Sequence, residues 1–287
     1  MSGSLLLLFV FLSAFLAPPL SRLLRMPVPV GELVIGLLLG HFLAQGVALP
    51  EILGFLADFG FLLLMFLAGL EVDFNLLRQL ERRHFVFYAL YVVGMFLGAG
   101  LLAGLLGVGL AQALILALVS IGLMVATLRD MGILGRAFAK RVLILGVLGE
   151  VASLFGLTAM EKAAHYQGLL SLLKEVGIIA LFFLLLFLAF RLAGLFLWWY
   201  PEVGRRLVYE EDPSAMGIRL SLALMFAAAV MSGLVGLESV LGAFLAGMIL
   251  SYFLQKKHDL EAKLSAMGYG FLIPIFFIRT GMGIDLS

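Results

Sequence analysis

Ten apolar runs, each close to the roughly twenty residues that a helix needs to cross a bilayer core, constrain this chain more than any other feature. They are Ser4–Leu20, Val28–Val47, Ile52–Val72, Phe85–Val108, Ala111–Leu128, Val142–Met160, Val176–Trp199, Gly217–Val235, Ser239–Leu254 and Met267–Ile284. Lipid offers no partner to backbone N–H and C=O groups, so runs of this kind are expected as helices. β-barrel strands would alternate apolar and polar residues, which these runs do not. Composition agrees: 63% of residues are hydrophobic and 13% charged, against about 45–50% and 25% in soluble domains. The net charge of +1 gives no reason to expect nucleic acid, and the absence of Cys excludes disulfides and thiolate metal sites. The first run has neither a basic leader nor a clear small-residue cleavage site, so it reads as a span. The fold class expected is an all-α polytopic membrane protein of about ten transmembrane helices.

Basic residues alternate between the connections. Arg22 and Arg25 follow the first run, and Arg78, Arg82 and Arg83 the third. Arg129, Arg136, Lys140 and Arg141 follow the fifth, Arg205 and Arg206 the seventh, and Lys256, Lys257 and Lys263 the ninth. The other connections hold almost none, Lys162 and Lys174 excepted. Positive loops face the cytoplasm, which puts the N-terminus and Ser287 outside.

Two stretches repeat. Gly60-Phe61-Leu62-Leu63-Leu64-Met65-Phe66, followed by Gly69-Leu70-Glu71-Val72-Asp73, resembles Gly270-Phe271-Leu272-Ile273-Pro274-Ile275-Phe276, followed by Gly281-Met282-Gly283-Ile284-Asp285. Glu32 precedes Gly36 as Glu238 precedes Gly242. The third run crosses inward and the tenth outward, so the copies are inverted, a pattern of secondary transporters with a mid-membrane site at the repeat interface. The expected organisation is a first inverted repeat over 1–160, a linker helix and cytoplasmic loop over 161–215, and an incomplete second repeat of three helices over 216–287. Counterparts of 84–160 would lie beyond Ser287, so the chain reads as a fragment or an early-ending product.

The motifs Pro29-Val30-Gly31-Glu32-Leu33-Val34-Ile35-Gly36, Leu64-Met65-Phe66-Leu67-Ala68-Gly69-Leu70-Glu71, Leu241-Gly242-Ala243-Phe244-Leu245-Ala246-Gly247 and Pro274-Ile275-Phe276-Phe277 resemble, in order, those of the cation:proton antiporter superfamily, most closely its Kef-type branch. The resemblance implies a sodium/proton exchanger fold of thirteen helices, usually a homodimer, with a dimerisation domain and a mobile core. It also implies two crossing broken helices, equivalent to the fifth run and to a twelfth helix beyond Ser287. The implied partners are the bilayer, a proton and a monovalent cation (Na⁺ or K⁺); no cofactor or resident metal is called for. The setting implied is a bacterial inner membrane.

Intramembrane charges are expensive, about 2.5–3.5 kcal/mol on insertion scales, so each is a candidate site. Glu150 lies mid-run with no Lys or Arg within eight residues on either side, where the family carries its ion-binding Asp. A carboxylate there can hold a proton or a monovalent cation in turn, which would couple the two fluxes. A carboxyl group bonded to a neighbouring helix is the structural alternative. The family's Asn-Asp, Asp-Asp or Gln-Asp pair is here Gly149-Glu150, so one side-chain ligand is missing. Ser120 falls where the family breaks the helix and frees carbonyls for the ion; back-bonding to the preceding turn is its alternative. Thr127 is an accessory candidate that could bond its own helix.

Asp58 lies about 9 Å into the third run at 1.5 Å per residue, and could line an access funnel or pair locally. Arg279 needs an anion, with Glu150 and Asp58 as candidates, or must snorkel to the surface. Glu71 and Asp73 are expected to pair with Arg78. Glu32 and Glu238 suit helix N-termini and read as structural. Gly94 and Gly98 could serve dimer contact or internal packing.

Enzyme chemistry has little support, since His41, His84, His165 and His258 lack metal-ligand spacing. The serious rival is a sodium-coupled organic anion symporter of related inverted-repeat fold; a truncated, non-transporting membrane protein is the third reading.

Overall fold

The computed structural model describes residues 3–43, 50–72, 82–109, 112–113, 117, 119–164, 215–253 and 258–284, with scattered positions between 177 and 199. Regular structure among them is helical: α1 (Gly3–Leu23), α2 (Val28–Leu43), α3 (Glu51–Leu70), α4 (Arg82–Leu106), α5 (Ile121–Asp130), α6 (Ala137–Ala164), α7 (Met216–Leu234), α8 (Ser239–Phe253), α9 (His258–Met267) and α10 (Ile273–Met282). Among the described residues, five stretches are long and apolar enough to cross a membrane: Gly3–Leu23, Glu51–Leu70, Val86–Leu106, Met216–Leu234 and Leu260–Met282. Val28–Phe42 and Ser239–Tyr252 are shorter apolar helices.

Two runs are not single uninterrupted α-helices. The fifth is not one helix. Ala113 and Ala117 donate helical bonds to the carbonyls of Gly109 and Ala113, but Ser120 is extended (φ −102, ψ 102) and α5 starts after it. The tenth begins earlier than Met267, at His258, and α9 and α10 join through a π-helical turn, Gly268–Leu272. Pro274 explains the turn. It has no N–H and its ring crowds the carbonyl four residues back; the backbone widens, and Ile273 N–H reaches the carbonyl of Gly268. The seventh run, Asp73, Arg78 and Asp285 lie outside the described residues, apart from the scattered positions.

The core forms around α3. Leu63, Leu64, Phe66, Leu67 and Leu70 are buried with Met225, Ala243, Ala246, Leu264 and Ile273. Its other face, with Met65 and Ala68, meets Ile121 and Val125 of α5 and Leu143 of α6. Phe61 of α3 stacks on Phe276 of α10 at 4.5 Å between centroids.

Two helix pairs touch backbone to backbone. A Cβ at Gly36 would overlap the carbonyl of Ile278, and one at Gly281 the carbonyl of Leu33. In the second pair, a Cβ at Gly247 would overlap the carbonyl of Phe66, and one at Gly69 the carbonyl of Phe244. Thus α2–α10 and α3–α8 share one reciprocal contact, each helix presenting a Gly to the carbonyl three residues before its partner's Gly. With little hydrophobic drive between helices in lipid, such close approach is what holds them together.

Candidate functional site

The break between Ala117 and Ile121 leaves backbone groups without helical partners, as every helix end does. Ser120 treats one of them: its Oγ accepts the N–H of Leu123 at 3.3 Å, an N-cap. Helix α6 treats two more. The N–H of Ile121 donates to Oε2 of Glu150 at 2.8 Å. Ser153 Oγ has its one proton to share between the carbonyl of Gly149 in its own helix, at 2.7 Å, and that of Ala117, at 3.0 Å. One helix therefore grips the break from both sides, with an acceptor for the orphan donor and a donor for the orphan acceptor.

Small residues permit this approach. A Cβ at Gly149 would stand 3.1 Å from Val119 Cγ2, and one at Gly146 would stand 2.9 Å from Met124 Sδ. Gly146, Gly149, Glu150 and Ser153 lie three and four residues apart, so they share one face of α6. Glu150 is thirteen residues into α6, about 20 Å along its axis at 1.5 Å per residue. Its carboxylate sits on the positive end of the α5 dipole, a favourable place for negative charge. Only Oε2 is engaged; among the described residues Oε1 has no hydrogen-bond partner.

The far end of α5 carries a second cluster. Arg129 donates to Ser265 Oγ at 2.6 Å and lies 4.0 Å from Glu71 and 3.8 Å from Glu261. Its guanidinium sits 4.8 Å from the centroid of the Tyr269 ring, a cation–π contact. Gly132, with φ 67, turns the chain out of α5 in a conformation that suits Gly. Asp130 accepts the N–H of Val28 at 3.0 Å, capping α2.

A carboxylate that meets a helix break invites comparison with known membrane proteins. The sequence profile "Sodium/hydrogen exchanger, transmembrane" matches residues 11–287. The chain belongs to that family. It is similar to YjbQ of Bacillus subtilis (strain 168), provisionally named a Na⁺/H⁺ antiporter, at 28% identity over 98% of this chain and 47% of YjbQ. It is similar to GerT of Bacillus cereus, named with the same reserve, at 29% over 98% of this chain and 74% of GerT. It is also similar to the glutathione-regulated potassium-efflux system protein KefC of Escherichia coli O45:K1 (strain S88 / ExPEC), at 28% over 96% of this chain and 44% of KefC. The chain thus spans about half of two of these relatives and about three quarters of the other.

Within this exchanger-family chain, the structure brings together two of the five residues singled out by sequence, Glu150 and Ser120. Ser120 caps forward onto α5 rather than bonding back to the preceding turn. Thr127 is not at the break; it lies seven residues further on, about 10 Å along α5 at 1.5 Å per residue. Asp58 is exposed on α3. Arg279 makes no ion pair with Glu150 or Asp58 among the described residues; its Nη1 lies 3.4 Å from where a Cβ on Gly283 would be, so the side chain runs to the helix end. Glu71 pairs with Arg129 of α5, whereas Arg78 lies outside the described residues. Around Gly94 and Gly98 no described atom lies within 4 Å of an added Cβ.

Ser153 was not singled out by sequence. Its signal was present, since it stands four residues after Gly149 and three after Glu150, on the face already under suspicion. Glu32 was read as structural, yet it is buried, 3% exposed, and lines a cavity. Glu238, its counterpart in that reading, is exposed.

Proposed function

We propose that this chain carries out exchange of a monovalent cation for protons, with Glu150 as the group that binds the two in turn. The single observation behind this is that the Glu150 carboxylate meets the backbone break at Ile121 inside the bundle. One oxygen is held in place by the Ile121 N–H, and the other is available to a proton or a cation. Either ligand neutralises the same charge, so occupancy by one excludes the other. Ser120 sits at the same break, where a modest shift of α5 would turn backbone and hydroxyl oxygens toward an ion. Membership of the exchanger family and the antiporter names of YjbQ and GerT support the reading.

Alternating access belongs to this proposal. The reciprocal Gly contacts of α2–α10 and α3–α8 favour an inverted repeat in which Gly36 corresponds to Gly247 rather than to Gly242. Arg22 and Arg129 line one cavity, and Arg136 and Arg141 follow α5 directly in the chain, which favours that end as cytoplasmic. A homodimer and a bacterial inner membrane complete the reading by resemblance.

The test is reconstitution of the chain into vesicles carrying a pH-sensitive dye. Addition of Na⁺ or K⁺ should dissipate a preset pH gradient, and Glu150→Gln should abolish the response. Undiminished exchange by that variant would reject the site. Na⁺ uptake stimulated by an organic anion, without a pH response, would favour the symporter reading.

A further inference from the structure

A second buried carboxylate, Glu32, lies away from the break. A cavity of about 270 Å³ opens between α1, α2, α5, the π-helical turn and α10. Its polar lining is Glu32, Asp130, Arg22, Arg129 and Tyr269. Glu32 is 3% exposed and has no hydrogen bond or ion pair among the described residues. A buried carboxylate left this way is costly unless a proton or another cation joins it.

The protein's own cations do not fill that need. Arg129 is committed to Ser265, Glu71, Glu261 and the Tyr269 ring. Arg22 is exposed. The backbone at the start of α2 offers an anion little. The first turn of α2 would normally offer free N–H groups, but Pro27 and Pro29 have none and Val28 N–H is taken by Asp130. Val30 and Gly31 both donate to the carbonyl of Pro27. The acidic oxygens on offer are the Asp130 carboxylate, exposed at the mouth, and the Glu32 carboxylate within; the Tyr269 hydroxyl also lines the cavity. At about 30 Å³ per water, the volume admits a cation with part of its hydration shell.

We propose that Glu32 is a binding site for a partly hydrated monovalent cation, entered past Asp130 from the Arg-rich end of the molecule. Ala126 and Arg129 of α5 line the cavity, and the N-terminus of the same helix meets Glu150. Along α5, Ala126 and Arg129 lie about 8 and 12 Å from Ile121 at 1.5 Å per residue, so one helix joins the cavity to the break. Glu32 is the station before the exchange site; that role rests on the reading of Glu150, whereas the site itself rests on the cavity alone.

Equilibrium binding of ²²Na⁺ and ⁸⁶Rb⁺ to the purified chain in detergent tests this, using wild type, Glu32→Gln, Glu150→Gln and the double variant. Binding should persist in Glu150→Gln and weaken by roughly tenfold or more in the double variant, with Glu32→Asp retaining it. Loss of all binding in Glu150→Gln alone, or no further loss in the double variant, would overturn the Glu32 site and leave the function of Glu150 standing. Unimpaired exchange by Glu150→Gln, with binding still lost in Glu32→Gln, would do the reverse. Should Glu32→Gln not fold, the Glu150→Gln protein must melt higher in NaCl or KCl than in choline chloride; equal melting counts against the site.

Discussion

The carboxylate of Glu150 accepts the backbone N–H of Ile121 at 2.8 Å, joining α6 to a helix start 29 residues earlier in the chain. A charge and a structural hydrogen bond thus reside on one side chain, and substitutions can separate them. Glu150→Gln keeps an oxygen for the N–H and loses the charge; Glu150→Ala loses both. Exchange should vanish in each, but only Ala should lower the melting temperature. An unsatisfied buried donor costs about 1–3 kcal/mol. Equal melting of the two variants would show that the bond does not support the fold.

Ser153 holds the other side of the break. Ser153→Ala leaves the Ala117 carbonyl without its donor, at an expected cost of about 0.5–1.5 kcal/mol. Amide hydrogen exchange should quicken around 117–121 more than in α3. Uniform change across the helices would point to a general loss of packing instead.

The helix pairs predict a contrast between glycines. Gly69→Ala or Gly247→Ala drives a methyl into a facing carbonyl, and overpacking of this kind costs about 1–3 kcal/mol. Gly98→Ala meets no described neighbour and should stay within about 0.5 kcal/mol of wild type. Thermal unfolding in one detergent compares them directly, and a Gly98 variant as damaged as the others would refute the contrast.

Arg129→Lys should not be conservative. The guanidinium serves Ser265 and the Tyr269 face at once, which a single ammonium does not match. The two ion pairs are long and partly exposed, so they contribute little. Loss of the hydrogen bond and the ring contact should cost on the order of 1 kcal/mol. A melting curve identical to wild type would mean that Lys satisfies the cluster.

Much of the helical layout is legible without coordinates, because membrane thickness sets helix length and lipid demands helices. Runs one to four, six, eight and nine fall on described helices, with ends moved by a few residues. The break in the fifth run was legible only through family resemblance. Nothing in the spacing of its apolar residues marks it, since a carbonyl freed inside protein looks the same in sequence as one that is bonded. The early start of the tenth helix was hidden because His258–Met267 is polar enough to read as a loop.

Glu32 and Glu238 mark the boundary between the two kinds of information. By sequence they are twins, each four residues before a Gly in an apolar run. Sequence alone determined that this is a membrane protein, roughly where its helices run, and that Glu150 stands apart from any basic residue. Tertiary structure alone decided that Glu32 is enclosed while Glu238 is exposed, and that Glu150 finds the N–H of Ile121. The reason is that apolar periodicity specifies which segments leave water, whereas the surroundings of a charge depend on which distant helices pack against it.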